Sequence, residues 1–189
     1  MNYTELVAAI AGLIHRTDLG GSIPTFILLA ETKMNRFLRV RQMETVLAAT
    51  PIVDNVITLS ADIADVKALW VPGYEGTPLK RQSLDSVLAS GLTGTPTQYA
   101  RRGEQDLFIN GGGDVQGVLY TKIPGLTEAA PTNWLASEAP DVYLYGALIQ
   151  CAIYTRSDKT AYEEAYQNAI AELAGNDNRY TGPLVARAR

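Results

Sequence analysis

The stretch PTNWLASEAPDVYLYGALIQCAIYTRSD, Pro131 to Asp158, constrains the fold more than any other part of the chain. Asn133 or Thr132 can cap a short first turn through Trp134 and Leu135, and Pro140 with Asp141 supplies the first-turn chemistry of a second helix. From Val142 to Tyr154 the only strongly polar side chain is Gln150. A helix apolar on nearly all sides must be covered on nearly all sides, so this one is expected at the centre of a bundle or against a partner subunit. It is too short and too aromatic to cross a bilayer.

Helical spacing recurs at both ends of the chain. Leu6, Ile10, Leu13 and Ile14 follow Thr4 at helical intervals and predict a first helix ending near Asp18 and the Gly20-Gly21 breaker. Ser22 and Pro24 open a second, whose Ile23, Phe26, Ile27, Ala30, Met34 and Phe37 keep the same period. Near the C-terminus Tyr162, Tyr166, Ala169 and Leu173 form one stripe, with Glu163, Glu164, Gln167, Asn168 and Glu172 on the opposite side.

Between the helical ends the pattern changes to short runs rich in Val, Ile, Thr and Tyr. Strands are predicted at 40–48, 56–59, 66–71, 78–81, 98–102, 107–110 and 115–123, with a short helix at 84–89 capped by Ser83. Gly111-Gly112-Gly113-Asp114 reads as a hairpin connection. The expected fold class is α+β: an antiparallel four-helix bundle (1–37 and 131–175), an inserted antiparallel β-sheet or sandwich (38–130), and an extended C-terminal tail (176–189).

Charge and chemistry narrow the function classes. Sixteen basic against twenty acidic residues give a net charge of -4, the wrong sign for gripping nucleic acid through phosphates. Cys151 is the one cysteine and His15 the one histidine, which argues against a disulfide, a cysteine-based zinc cluster and a Ser-His-Asp triad. The glycine run at Gly111 is followed by no Lys-Ser/Thr, so it is no phosphate loop. Arg36, Arg39, Arg41, Arg101 and Arg102 lack the aromatic interleaving of single-strand binders and are expected to pair with acidic groups. No catalytic residue, cofactor or metal ligand is assigned, and the chain is expected not to be an enzyme. The N-terminus has no basic region before its apolar stretch, so it is not expected to be a signal peptide.

Ten tyrosines, concentrated in the C-terminal third, point instead to contacts between proteins. Tyr143, Tyr145 and Tyr162 are the candidates for a subunit interface.

The strings NWL and APDVYLYGAL, with LIHRTDL (Leu13 to Leu19), IPTFILLAE (Ile23 to Glu31) and LRVRQME (Leu38 to Glu44), carry a resemblance. In that order they resemble the head-to-tail adaptor family of tailed bacteriophages, of the tail tubular protein A type. The resemblance implies a structural virion protein of the neck. Members look like rings of about twelve copies, seated on the portal protein and offering their other face to the tail or nozzle protein. Duplex DNA passes through the lumen without specific binding, no membrane is involved, and assembly takes place in the host cytoplasm. The C-terminal segment then docks on the portal, through Arg179, Tyr180, Leu184, Val185, Arg187 and Arg189. The competing expectation is a small helical DNA-binding or regulatory protein using Arg36, Arg39, Arg41 and the basic tail, whose affinity would fall steeply with salt.

Overall fold

The computed structural model describes residues 1–181. In chain order the described elements are α1 (Tyr3–Ile14), α2 (Ile23–Phe37), β1 (Glu44–Pro51), β2 (Val56–Thr58), β3 (Ile63–Trp70), β4 (Lys80–Arg81) and α3 (Leu84–Ala89). There follow β5 (Gln98–Arg102), β6 (Asp106–Ile109), β7 (Asp114–Thr121), α4 (Trp134–Glu138), α5 (Pro140–Thr155) and α6 (Thr160–Thr181). The class is mixed α+β. Contacts divide it into a helical unit, Met1–Gln42 with the chain from Ile123 onward, and a β unit, Met43–Lys122.

The helical unit starts with a capping box. The Asn2 side chain accepts from the Glu5 amide and the Glu5 carboxylate accepts from the Asn2 amide, each at 2.9 Å. α1 ends at His15, which adopts a left-handed conformation (φ 52). The helix therefore stops short of Asp18, and the Gly20-Gly21 pair belongs to a separate 3₁₀ turn, Thr17–Ser22. Asn133 caps α4 by accepting from the Ala136 amide at 2.8 Å, and Pro140 opens α5.

α5 is buried at Val142, Tyr143, Gly146, Ala147, Leu148, Ile149, Cys151 and Ala152, and packs against α1, α2, α4 and α6. The apolar run from Val142 is the physical cause of that central position. Gly146 permits it: a Cβ there would lie 3.2 Å from Ala30 Cβ and 3.4 Å from the Tyr166 ring. This is a cluster about a central helix, a looser description than the antiparallel four-helix bundle expected from the sequence. α6 runs to Thr181, so Asn176 to Thr181 is helical where an extended tail was expected. Each added helical residue gains a hydrogen bond, and one glycine with two asparagines does not outweigh that propagation.

In the β unit the seven strands overlap the predicted segments, except that β1 starts at Glu44 and not at Val40 because Arg41–Met43 forms a 3₁₀ turn; α3 follows Ser83, whose hydroxyl accepts from the Ser86 amide at 3.3 Å. They form two sheets, in the orders β1-β7-β3 and β2-β6-β5-β4. One core draws on both, with Ile57, Leu69, Leu107, Ile109, Val115 and Leu119 among its buried members. Two expectations fail here. The short β4 pairs with β5 in parallel, so the unit is not wholly antiparallel. Gly111 to Asp114 is no hairpin: β6 and β7 belong to different sheets, and the glycines carry the chain from one to the other. Gly111 (φ 87) sits where a Cβ would collide with Gly94 O, and the Gly112 amide donates to that same carbonyl at 3.0 Å.

Candidate functional site

The outer surface of the helical unit is fixed by a buried polar clamp. Glu31 lies on the inward face of α2, between Ile27 and Met34, and is 6% exposed. Its Oε1 accepts from the Leu126 amide at 2.7 Å and from the Tyr143 hydroxyl at 3.0 Å. Asn133 Nδ2 donates to the Tyr143 hydroxyl at 2.7 Å and to Pro124 O at 2.6 Å. Four segments are thereby tied together: α2, the 123–133 connection, α4 and α5. Burial raises the Glu31 carboxyl above the ordinary carboxylate range, and the Leu126 and Tyr143 donors offset part of that rise. Burial, and then the nearby Glu31 charge, pushes the Tyr143 hydroxyl up as well, which keeps it a donor.

With its inner face clamped, α2 turns apolar side chains outward. Leu28 is 59% exposed, Leu29 47% and Phe37 47%; Ile153 (53%) and Tyr154 (64%) project from the end of α5. Thr25, Phe26, Leu29, Gln150, Ile153 and Tyr154 line a hollow of 250 Å³, with the Phe26 and Tyr154 rings in tilted contact at 5.6 Å. A second hollow, of 600 Å³, runs between Lys33 of α2 and Glu163, Glu164 and Gln167 of α6, with Ile149 of α5 lining it. The first hollow lies between α2 and the end of α5, and the second between α2 and α6. Lys33 Nζ lies 5.9 Å from the centre of the Tyr166 ring. The Tyr166 hydroxyl is buried with no hydrogen-bond partner, and burial pushes it up to about 12.

The residues expected to form a subunit interface separate. Tyr143 is fully buried and hydrogen-bonded within its own unit, so it has no surface to offer a neighbour. An apolar ring with a single polar tip suits core and interface alike, and Glu31 with Asn133 decides for the core. Tyr145 and Tyr162 remain half-buried. Of the docking candidates, Arg179 and Tyr180 fall in the last turns of α6, and Leu184, Val185, Arg187 and Arg189 lie outside the described residues.

The arginines mostly serve the fold. Arg39 donates to Asn35 O and Leu38 O, closing the end of α2. Arg101 donates to Ala64 O at 2.8 Å and to Glu104 O, and Arg102 pairs with Asp106 at 3.2 Å. Arg36 is exposed. Among the described residues no group of three or more His, Cys, Asp or Glu side chains is placed to hold a metal, and no helix is long and apolar enough to cross a membrane.

The sequence did not single out Glu31. The signal was there: a carboxylate one residue after Ala30 and three before Met34 falls on the apolar stripe of α2, a position that demands buried donors.

Leucine, isoleucine and tyrosine side chains turned outward from the helical cluster are compatible with contact with other proteins. Residues 1–187 match the SU10 adaptor protein family, and the chain belongs to that family of phage head–tail adaptors. No curated protein matches it.

Proposed function

We propose that this protein is a structural subunit of the virion neck, in which copies form a ring between the portal and the tail, extend the DNA channel and present the surface to which the tail attaches. The observation that carries the reading is family membership over nearly the whole chain, residues 1–187, which covers both the helical and the β unit. The ring holds about twelve copies. Tyr145 and Tyr162 contribute to contacts between subunits, and the turn at Tyr74 to Thr77, where Tyr74 is 66% exposed, faces the tail.

The C-terminal end is the portal-docking arm. Arg179 and Tyr180 lead into Leu184, Val185, Arg187 and Arg189, a basic and apolar run on a chain whose net charge is -4. Apolar anchors with charge-assisted hydrogen bonds to portal carboxylates give each arm modest affinity, and a ring of arms multiplies it by effective concentration. The acidic balance suits a lumen that lets the duplex slide.

Removing residues 182–189 and mixing the product with DNA-filled heads tests the docking role. The truncated chain keeps its melting temperature and loses its place on the portal. Undiminished binding removes the arm from the reading, and full-length protein that neither binds heads nor forms rings removes the reading itself.

A further inference from the structure

The Glu31 clamp uses one oxygen of its carboxylate and leaves the other bare. Both donors, the Leu126 amide and the Tyr143 hydroxyl, fall on Oε1, and Oε2 accepts no hydrogen bond among the described residues. Burial and those two hydrogen bonds set the state of this carboxyl, with no contribution from a positive charge, and Lys33 of the same helix lies over the Tyr166 ring instead. A carboxylate only 6% exposed has lost most of its hydration, and an oxygen with no donor has nothing in its place. Among the described residues the sealed and unpartnered polar atoms are Gln42 Oε1, Trp70 Nε1, Gln98 Oε1 and the Tyr166 hydroxyl; Glu31 Oε2 is not one of them and so keeps an opening.

Glu31 lines a hollow of 280 Å³ together with Tyr3 of α1, Thr25 and Leu28 of α2, and Leu126 and Thr127 of the 123–133 connection. Leu28, Thr25 and Thr127 are exposed, so the hollow is reached from outside. Glu31 is the one charged residue of its lining, which excludes an anion and favours a cation. A single bare oxygen matches a point donor such as an ammonium; the planar fork of a guanidinium is satisfied by two acceptors side by side. Tyr3, Leu28 and Leu126 give apolar walls that suit a methylene stem, and the hydroxyl oxygens of Thr25 and Thr127 are further acceptors for an ammonium with three protons to donate.

We infer that this hollow is a socket for one lysine side chain of another protein, its ammonium donating to Glu31 Oε2 and its stem lying along Leu28 and Tyr3. Charge commits the occupant: the carboxylate lacks a cation of its own, and a lysine brings the charge, the donor and the apolar stem together. The source of the lysine rests on the adaptor reading, since a chain of that family meets the surfaces of other virion proteins; the recognition rests on the hollow alone. Docking of one lysine fixes register between two proteins, because a buried ammonium displaced from its carboxylate leaves both charges unpaired.

Saturation-transfer difference NMR on the full chain tests this, with the tripeptide acetyl-Gly-Lys-Gly-amide as probe. It should bind with a dissociation constant of roughly 1–10 mM, with the strongest transfer at the lysine δ and ε methylenes. Glu31→Gln keeps the oxygen that Leu126 and Tyr143 use and puts an N–H donor in place of Oε2, so binding should weaken by about tenfold or more in a protein that melts no lower than the wild type. The arginine tripeptide should bind more weakly, and tetramethylammonium, which has the charge and no N–H, should not saturate. Should Glu31→Gln melt lower, the wild-type comparison of lysine with arginine and tetramethylammonium decides alone. No saturable transfer to the lysine peptide overturns the socket, as does equal binding by folded Glu31→Gln, by the arginine peptide or by tetramethylammonium. Binding of n-butylammonium without binding of the lysine peptide overturns a protein as the source. Protein that joins heads and shows no transfer refutes the socket and leaves the adaptor reading standing; lysine binding through Glu31 by protein that neither binds heads nor forms rings supports the socket and refutes the adaptor reading.

Discussion

The Tyr143 hydroxyl donates to Glu31 Oε1 at 3.0 Å and accepts from Asn133 Nδ2 at 2.7 Å, joining residues 112 positions apart in one buried chain of hydrogen bonds. Among the described residues the phenol is the one group hydrogen-bonded to both that carboxylate and that amide, and Asn133 spends its own oxygen on the cap of α4. Tyr143→Phe keeps the ring and deletes the link. It leaves a buried carboxylate one donor short and an amide one acceptor short, and is expected to cost about 1–3 kcal/mol. Urea denaturation measures this; a loss within experimental error means water enters and repairs the gap.

The same carboxylate sets a pH dependence. Glu31 titrates above 4.5 in the folded state because burial disfavours its charge. Between 4.5 and that higher folded value the native state holds more protons than the unfolded one, so this group's contribution to stability declines as pH rises through the window. Asp18, Glu75, Asp106 and Asp158, all held low by hydrogen bonds, act with the opposite sign at lower pH. Glu31→Gln removes the falling component alone. Denaturation midpoints of wild type and variant, followed from below 4.5 upward, should move apart in favour of the glutamine; parallel curves would show that Glu31 titrates normally.

Gly111 and Gly112 are neighbours with opposite tolerance. Gly111 has φ 87, and a Cβ on it would strike Gly94 O, whereas a Cβ on Gly112 meets nothing within 4 Å. Gly111→Ala combines left-handed strain with a backbone collision and is expected to destabilise the β unit by about 2–4 kcal/mol. Gly112→Ala should change stability by no more than about 0.5 kcal/mol. Thermal melts of the pair decide it, and equal effects would mean that the approach to Gly94 relaxes freely.

What could be read from the residues alone was what short-range physics controls. Runs of short apolar and aromatic segments between turn residues marked the seven strands to within a few residues, α3 followed from Ser83, and the position of α5 followed from an apolar surface broken only by Gln150. Partner choice was not visible. The Gly111 to Asp114 run has the chemistry of a tight turn in either case, and only the pairing of β7 with β1 and β3 shows that it changes sheets. The parallel β4–β5 pair is two residues long, too short to leave a periodic mark. Tyr143 was legible as an amphipathic ring, while its partners Glu31 and Asn133 reach it only through the fold. The end of α6 was misplaced because Gly175 and its polar followers are ordinary loop residues, which the preceding helix nonetheless carries to Thr181.

The last expectation concerns the free edge of β1. This strand ends the order β1-β7-β3, so one of its edges pairs with no strand of its sheet. From Thr45 to Val53 it and the residues after it carry no charge, and Val46 is 80% exposed. Its register against β7 shifts between Leu47 and Thr50, while Glu44 to Leu47 pair with β7 in unbroken register. An uncharged, exposed edge of this kind invites a further strand from another molecule, and a single lysine is the usual barrier. Val46→Lys touches no buried contact, so the fold should change by at most about 0.5 kcal/mol. Association through β1 should fall, seen by light scattering as a loss of the largest species at high concentration. Unchanged scattering in Val46→Lys would mean that this edge takes no strand from another molecule.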